Sequence, residues 1–206
     1  MIKYVIFDFD GTLADSKKAF VSSWNTLAEK YNFQEIKFED LDSMKKLSMK
    51  ERSKRLNFPM FKLPFVLPKF YKVYQKLIHE IKVFDGVKEM LAEINRKGYK
   101  TIIISSNSKE NILAFLKHNK IESISNVYCS SRVFGKDKLI RNFLRENRLD
   151  ASEVIYVGDE HRDIVACKKI GVKIIWVGWG YDSIEVVERD KPDYKVNTPA
   201  EILKVI

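Results

Sequence analysis

The fold is decided by one stretch near the amino terminus, Tyr4-Val5-Ile6-Phe7-Asp8-Phe9-Asp10-Gly11-Thr12-Leu13. Apolar residues with high β propensity give way abruptly to two carboxylates and a Gly-Thr pair, which predicts a short buried strand over residues 2–8 followed by a loop. In parallel α/β sheets, ligands bind beyond the carboxyl ends of the strands. Asp8 and Asp10 therefore lie where such a sheet carries its functional site.

The two carboxylates also constrain each other. Asp8 and Asp10 are two residues apart, so both side chains lie on the same face of an extended chain. Carboxylates this close repel each other unless a divalent cation offsets their charge or one of them binds a proton. The pair therefore indicates one residue that acts as a nucleophile or metal ligand and one that acts as a general acid.

From about residue 83 onward, predicted strands alternate with predicted helices. Apolar strand patterns lie at 100–104, 127–129, 154–157 and 172–177, and helical patterns lie at 87–97, 111–118, 138–147, 164–170 and 200–205. Such alternation requires crossover connections and favours a parallel sheet with helices on both faces. The predicted fold class is α/β, with a three-layer, Rossmann-like parallel sheet.

Residues 16–82 interrupt this alternation. Apolar residues recur at helical spacing around 19–31, 38–47, 49–56 and 69–81, and no strand pattern is present. We therefore expect an inserted, all-helical domain over residues 16–82. The α/β core domain would consist of residues 1–15 and 83–206.

Composition and charge limit the classes of function that this protein can have. The chain has 206 residues, 45% of them hydrophobic, and a formal net charge of +9. Its basic residues are scattered among acidic ones, which argues against a nucleic-acid-binding surface. No apolar run approaches the ~18 residues of a membrane span, and the chain enters a strand at once, which leaves no room for a signal peptide. Two cysteines, Cys129 and Cys167, form no metal motif or disulfide framework, so we expect free thiols and a cytoplasmic location.

Three other segments place polar groups near predicted strand ends. Ser105 and Ser106 follow one strand, where hydroxyls and amides at a helix start can bind a phosphate. Lys136 precedes a helix, where an ammonium can neutralise a transferring phosphoryl group. Asp159 and Asp163 follow another strand with the oxygen ligands that Mg²⁺ prefers.

Taken in order, these motifs resemble those of the haloacid dehalogenase superfamily. The resemblance consists of Asp8-Phe9-Asp10-Gly11-Thr12, then Ser105, then Lys136, then Gly158-Asp159 with Asp163. A helical insertion after the first motif is similar to the cap of the phosphoglycolate-phosphatase-like branch, and residues 16–82 are called the cap from here on. Lys138 competes with Lys136 for the third motif, but the 23 residues from Lys136 to Asp159 are nearer to the spacing usual in that family.

The resemblance implies a role for each residue. Asp8 would be the nucleophile that forms an aspartyl-phosphate, and Asp10 would be the general acid and then the general base. Mg²⁺ would be held by Asp8, by the backbone carbonyl of Asp10 and by Asp159, with Asp163 in support. The groups expected to bind the substrate phosphate are Gly11, Thr12, Ser105, Ser106 and Lys136.

The implied function is a Mg²⁺-dependent phosphatase acting on a small phosphorylated metabolite, either phosphoglycolate-like or a sugar phosphate. The protein would be a monomer or homodimer with no nucleic-acid or membrane partner. The alternatives are a phosphosugar mutase on the same scaffold, a non-hydrolytic phospho-accepting binding module, and a degenerate member of the superfamily. Tyr71 and Tyr74 are expected to pack within the cap, and His161 occupies a variable position of the fourth motif.

Overall fold

A parallel sheet forms the centre of the molecule in a computed structural model that describes residues 1–130 and 135–206. In chain order the strands are β1 (Tyr4–Phe7), β2 (Ala14–Asp15), β3 (Lys82–Val83), β4 (Lys100–Ser105), β5 (Ile124–Cys129), β6 (Val154–Gly158), β7 (Lys173–Val177) and β8 (Tyr194–Val196). Over the described ranges, the main sheet has six strands in the order β5-β4-β1-β6-β7-β8, and every pair is parallel. The predicted α/β class with a Rossmann-like parallel sheet is confirmed.

Helices cover both faces of the sheet and make up the cap. In chain order they are α1 (Lys17–Tyr31), α2 (Leu41–Lys45), α3 (Met49–Arg55), α4 (Leu63–Lys76), α5 (Val87–Arg96), α6 (Lys109–His118), α7 (Lys136–Glu146), α8 (His161–Ile170), α9 (Ile184–Val187) and α10 (Pro199–Ile202). Short 3₁₀ turns lie at Phe38–Asp40, Met60–Lys62, Ile78–Glu80, Ala151–Glu153 and Glu188–Asp190.

The side chains of β1 show why its apolar run is continuous. Val5 and Phe7 face a core that also contains residues of α5, α6 and α10. Ile6 faces the opposite core, which contains residues of α7 and α8. A strand buried on both faces has no polar face to alternate with, so its sequence reads as uninterrupted apolar residues.

The helices α1 to α4 lie between two short strands, β2 and β3, which pair with each other. β2 and β3 form an antiparallel pair in which Ala14 faces Val83 and Asp15 faces Lys82. The amide of Phe84 also donates to the carbonyl of Leu13, over 3.2 Å. The chain therefore leaves the core and returns to it at adjacent positions, immediately after the first motif.

The prediction for the last cap helix was wrong in its limits. A helix was expected over 69–81, but α4 spans Leu63–Lys76 and the chain continues into the turn Ile78–Glu80. Pro64 lies in the first turn of α4, where its missing N–H would have no helical partner, and Pro68 lies inside the helix. Prolines ordinarily mark a helix boundary, whereas α4 begins before both of these.

Three short strands have no counterpart in the sequence prediction. β2, β3 and β8 span two or three residues each, which is too short for a period-two pattern to appear. Across the residues that the structure covers, no helix is long and apolar enough to cross a membrane.

Candidate active site

The site lies beyond the carboxyl ends of three neighbouring strands. β1 is flanked by β4 and β6, and Phe7 is in register with Ile103 on one side and with Val157 on the other. Each strand therefore ends at the same edge of the sheet. This register brings the Asp8, Ser105 and Asp159 segments together, as expected for a parallel sheet.

Asp8 and Lys136 form a deeply buried contact of the site. Asp8 is 1% exposed and Lys136 is 3% exposed. Lys136 Nζ lies 2.6 Å from Asp8 Oδ2 and 2.5 Å from Asp163 Oδ1. Burial disfavours the ammonium form, but the Asp163 and Asp8 carboxylates outweigh that effect and raise the pKa of Lys136. Lys138, the competitor for this position, is exposed.

Asp10 is held by two neutral donors. Tyr74 Oη donates to Asp10 Oδ1 over 2.6 Å, and Asn107 Nδ2 donates to Asp10 Oδ2 over 2.8 Å. Burial raises the pKa of Asp10, and the nearby Asp8 carboxylate adds to that rise. A carboxyl group with a raised pKa is suited to donating a proton near neutral pH.

Asp159 is packed beneath the loop that follows β1. Its carboxylate accepts from Thr12 Oγ1 over 2.8 Å and from the amide of Tyr181 over 2.7 Å. Gly11 has a φ of +78°, and a Cβ there would lie 2.3 Å from Asp159 Oδ2. Only glycine fits both the left-handed backbone and this close approach. Burial, with the Glu160 and Asp8 carboxylates, raises the pKa of Asp159 well above its ordinary value.

A second acidic grouping includes a residue that was not predicted as a ligand. Carboxylate oxygens of Asp8, Glu160 and Asp163 lie within 4.8 Å of one another. Burial opposes ionisation of Glu160, but Arg162 and Lys136 outweigh it and lower its pKa. For Asp163, burial raises the pKa and Lys136 opposes the rise. The structure thus places Glu160 with Asp8, while the carboxylate of Asp159 is engaged with Thr12 and Tyr181.

This arrangement fits a divalent cation. Asp8 Oδ2 is buried and lacks a hydrogen-bond donor in the part of the chain that the structure describes, since the Lys136 contact is an ion pair without hydrogen-bond geometry. Carboxylate oxygens are the ligands that Mg²⁺ prefers. The carboxylates gathered here outnumber the nearby basic groups Lys136 and Arg162, so an added cation would relieve their repulsion.

The groups expected to bind phosphate are close together, but several already have partners. Ser105 Oγ accepts from the amide of Asn107 over 3.1 Å, and Ser106 Oγ accepts from Arg162 over 3.1 Å. The Gly11 amide donates to Ala14 and the Thr12 amide donates to Phe9, both to backbone carbonyls. A phosphate role for these two amides stays a prediction. Phe134, which precedes the Gly135-Lys136 motif, lies outside the described residues.

A family model described as "Haloacid dehalogenase-like hydrolase" matches residues 5–177. The chain belongs to this family. The predicted membership of the superfamily, and with it the prediction of a hydrolase, is confirmed.

Individual relatives match the haloacid dehalogenase-like chain over nearly its whole length. A phosphoglycolate phosphatase of Synechococcus elongatus is 27% identical over 203 residues, which are 98% of this chain and 96% of the relative. A putative pyrophosphatase PpaX of Caldanaerobacter subterraneus is 25% identical in an alignment 211 positions long that covers 100% of this chain and 94% of the relative. A haloacid dehalogenase-like protein of Streptococcus pneumoniae has the same fold, with a TM-score of 0.84 at 20% identity, over 99% of this chain and 98% of that one.

Two cap residues of this hydrolase contact the site, although they were expected only to pack within the cap. Tyr74 bonds to Asp10, and Tyr71 Oη donates to the backbone carbonyl of Ser106 over 2.6 Å. Nothing in the local sequence distinguishes these tyrosines from core residues, because they lie in a segment remote from the motifs. Asn107 belongs to the recognised Ser-Ser-Asn run, and that motif is the signal that could have identified it. The side chain of His161, which occupies the variable position of the fourth motif, pairs with Asp190.

Proposed function

We propose that this hydrolase is a Mg²⁺-dependent phosphatase that hydrolyses a small phosphorylated metabolite through an aspartyl-phosphate. The observation that carries the proposal is the buried contact between Asp8 and Lys136 at the end of β1, with Asp10 two residues further along the chain. The phosphoglycolate phosphatase and pyrophosphatase names of two relatives support a phosphatase as the class of enzyme. The proposed cytoplasmic location and monomeric or dimeric state rest on the sequence.

In the first step, a carboxylate oxygen of Asp8 attacks phosphorus. The bond from phosphorus to the leaving oxygen breaks while a bond to Asp8 forms. Asp10 supplies the proton to the leaving oxygen. Burial raises the pKa of Asp10, so its carboxyl group can hold that proton before the reaction. The hydrogen bonds from Tyr74 and Asn107 fix the direction of the Asp10 carboxyl group.

In the second step, water attacks the phosphorus of the aspartyl-phosphate. Asp10, now ionised, takes a proton from that water. The bond between Asp8 and phosphorus breaks, inorganic phosphate leaves and Asp8 is regenerated as a carboxylate. The two steps together consume one water and return Asp10 to its protonated form.

Charge stabilisation is the other requirement of phosphoryl transfer. Lys136 would face the oxygens of the transferring group, with Ser105 and Ser106 beside it and Asp163 holding the ammonium in place. Bound Mg²⁺ would supply positive charge that offsets the repulsion between an anionic nucleophile and an anionic phosphate. Its proposed ligands are Asp8, the carbonyl of Asp10 and Asp159, to which the structure adds Glu160 as a candidate.

The test is phosphate release by wild type and Asp8→Asn from a panel of phosphate esters, with Mg²⁺ and with EDTA. We expect Mg²⁺-dependent release by wild type and a loss of at least about a thousandfold in the variant. Asp15→Asn, which changes an exposed carboxylate of β2, is the matched control and should keep wild-type turnover. Full activity of Asp8→Asn, or equal activity in EDTA, would refute the proposed mechanism.

A further inference from the structure

A cavity of about 210 Å³ runs from Asp10 into the cap. Its core end is polar and includes Asp10, Ser106, Glu160 and Arg162. Among the described residues, Asp10 lines this cavity and Asp8 does not. Under the proposed mechanism Asp10 protonates the leaving oxygen, so the cavity lies on the side of the leaving group rather than on that of the attacking carboxylate.

The cap end of the cavity is apolar. It is formed by helices and turns of the cap, and its buried lining residues include Trp24, Ile36, Met44, Leu56, Phe58 and Val66. The polar atoms here are already bonded. Trp24 Nε1 donates to the carbonyl of Gln34 over 2.9 Å, and Ser53 Oγ donates to the carbonyl of Phe58. This end therefore offers a ligand mainly hydrocarbon surface.

Most of the basic groups on the lining already have partners. Arg52 pairs with Asp182 over 2.5 Å, and Arg162 pairs with Glu160. Lys17 Nζ donates to the carbonyl of Trp179 over 2.8 Å. Lys17 and the half-buried Lys45 are the lining groups at which a second anionic group of a substrate would bind. Compact substrates with two anionic groups are therefore the alternative to a substrate with an apolar body.

An apolar cavity of this size discriminates between substrates. A carboxylate or second phosphate placed against hydrocarbon would lose its hydration without gaining donors, which is costly. An alkyl or aryl group would instead leave water and fill space in which the lining side chains lack contacts. The cavity is therefore matched to an apolar body attached to the leaving oxygen.

We propose that the substrate is a phosphate monoester of a predominantly apolar alcohol, whose hydrocarbon body occupies the cap cavity. The inference rests on the proposed phosphatase function and narrows its substrate class. Hydrolysis would release inorganic phosphate and the free alcohol, with the proton from Asp10 ending on the alcohol oxygen.

The experiment is a series of primary alkyl phosphates from ethyl to octyl, assayed with Mg²⁺ below their micelle concentrations beside phosphoglycolate and pyrophosphate. We expect kcat/KM to rise about fourfold for each methylene until the cavity is full. We also expect the longer esters to exceed both dianionic compounds. Release from short esters without any rise, or a preference for phosphoglycolate or pyrophosphate, would overturn the inference and leave the phosphatase intact. Release from no compound at all would overturn the proposed function as well.

Variants that fill the cavity test whether the dependence of kcat/KM on alkyl chain length arises there. Val66→Phe adds bulk to a buried lining residue of α4, so the rise in kcat/KM should stop at a shorter chain. Leu67→Phe repeats the test at a less buried lining position, in case Val66→Phe fails to fold. Phe65→Leu changes an exposed neighbour that does not line the cavity and should leave the chain-length profile unchanged. An unchanged profile in both filling variants, once folding is verified by thermal unfolding, would overturn the placement in this cavity.

Discussion

Lys136 is a cation almost without solvent, held between two carboxylates. Its ammonium lies within 2.6 Å of Asp8 and of Asp163, and both acids are themselves buried. Removing the charge from such a group leaves its partners buried and unpaired, which is more damaging than the loss of an exposed ion pair. The residue therefore supports both the geometry and the stability of the site.

We expect Lys136→Ala to lower kcat/KM by about a hundredfold or more, because a positive charge beside the transferring phosphoryl group is lost. The same variant should be destabilised by about 3 kcal/mol. Lys138→Ala removes an exposed ammonium two residues away and should change neither quantity by more than about twofold in rate or 0.5 kcal/mol in stability. Phosphate release and thermal unfolding measure the two effects. A greater loss of activity in Lys138→Ala would assign the third motif to Lys138.

At this scale the sequence could predict the residues that lie within motifs. Asp8, Asp10, Ser105, Asp159 and Asp163 follow apolar strand patterns, and Lys136 was singled out because the order and spacing of the motifs resemble those of the superfamily. Tyr74 could not be found in this way, because it reaches Asp10 from a helix that is 64 residues away along the chain. Glu160 follows Asp159 directly in the sequence, but its proximity to Asp8 depends on side-chain directions that a pattern does not contain.

At the scale of elements, helix α4 of the cap contacts the candidate active site and also lines the cavity. One helix supplies Tyr74 to Asp10, Tyr71 to the carbonyl of Ser106, and Val66 to the cavity. Asn111 Nδ2 on α6 donates to the carbonyl of Tyr71 over 3.2 Å, which fixes the helix against the core. The position of α4 therefore bears both on Asp10, the proposed general acid, and on the cavity.

We expect Tyr74→Phe to move the pH dependence of kcat/KM. The Tyr74 hydroxyl stabilises the ionised form of Asp10, so its removal should raise the pKa of Asp10 further. Because the first step needs Asp10 protonated, kcat/KM falls as pH rises through this pKa, and the fall should shift to higher pH in the variant. The measurement is a pH profile of phosphate release.

Tyr31→Phe is the control for that variant. The Tyr31 hydroxyl accepts a hydrogen bond from Lys69 on an exposed part of the cap. Its pH profile should match that of wild type. A shift to lower pH in Tyr74→Phe, or equal shifts in both variants, would contradict a specific effect of Tyr74 on Asp10.

The elements themselves were predictable where their patterns are long. β1, β4, β6 and β7 have continuous apolar runs, and most core helices have clear apolar stripes. The start of α4 was missed because Pro64 and Pro68 are ordinarily boundary signals, yet one is tolerated in a first turn and the other is accepted within the helix. The very short strands are set by pairing partners rather than by their own residues.

At the scale of the whole molecule, the buried acids set the pH dependence of stability. Burial raises the pKa of Asp10 and of Asp159, and it raises that of Asp163 from 3.8 to about 7. Between about pH 3.8 and about pH 7, these buried carboxyl groups hold protons in the folded state that the unfolded chain has released. The free energy of unfolding therefore falls as pH rises across this window.

We expect the melting temperature of the EDTA-treated protein to be at least about 3 °C higher at about pH 5 than at about pH 8. The proposed Mg²⁺ site requires ionised carboxylates in the folded state, so Mg²⁺ should raise the melting temperature more at the higher pH. NaCl at matched ionic strength is the control and should not reproduce the effect. A melting temperature that rises with pH in EDTA, or no response to Mg²⁺, would contradict this account.

The pairing of β2 with β3 bears on how such a protein diversifies. Neighbouring strands lie about 5 Å apart, so β2, which begins four residues beyond Asp10, and β3 bring the two ends of the cap to almost one point in space. A segment anchored in this way can be lengthened, shortened or exchanged by recombination without altering the register of the main sheet. Selection can then act on the chamber that admits a substrate while the carboxylates beneath it are inherited unchanged.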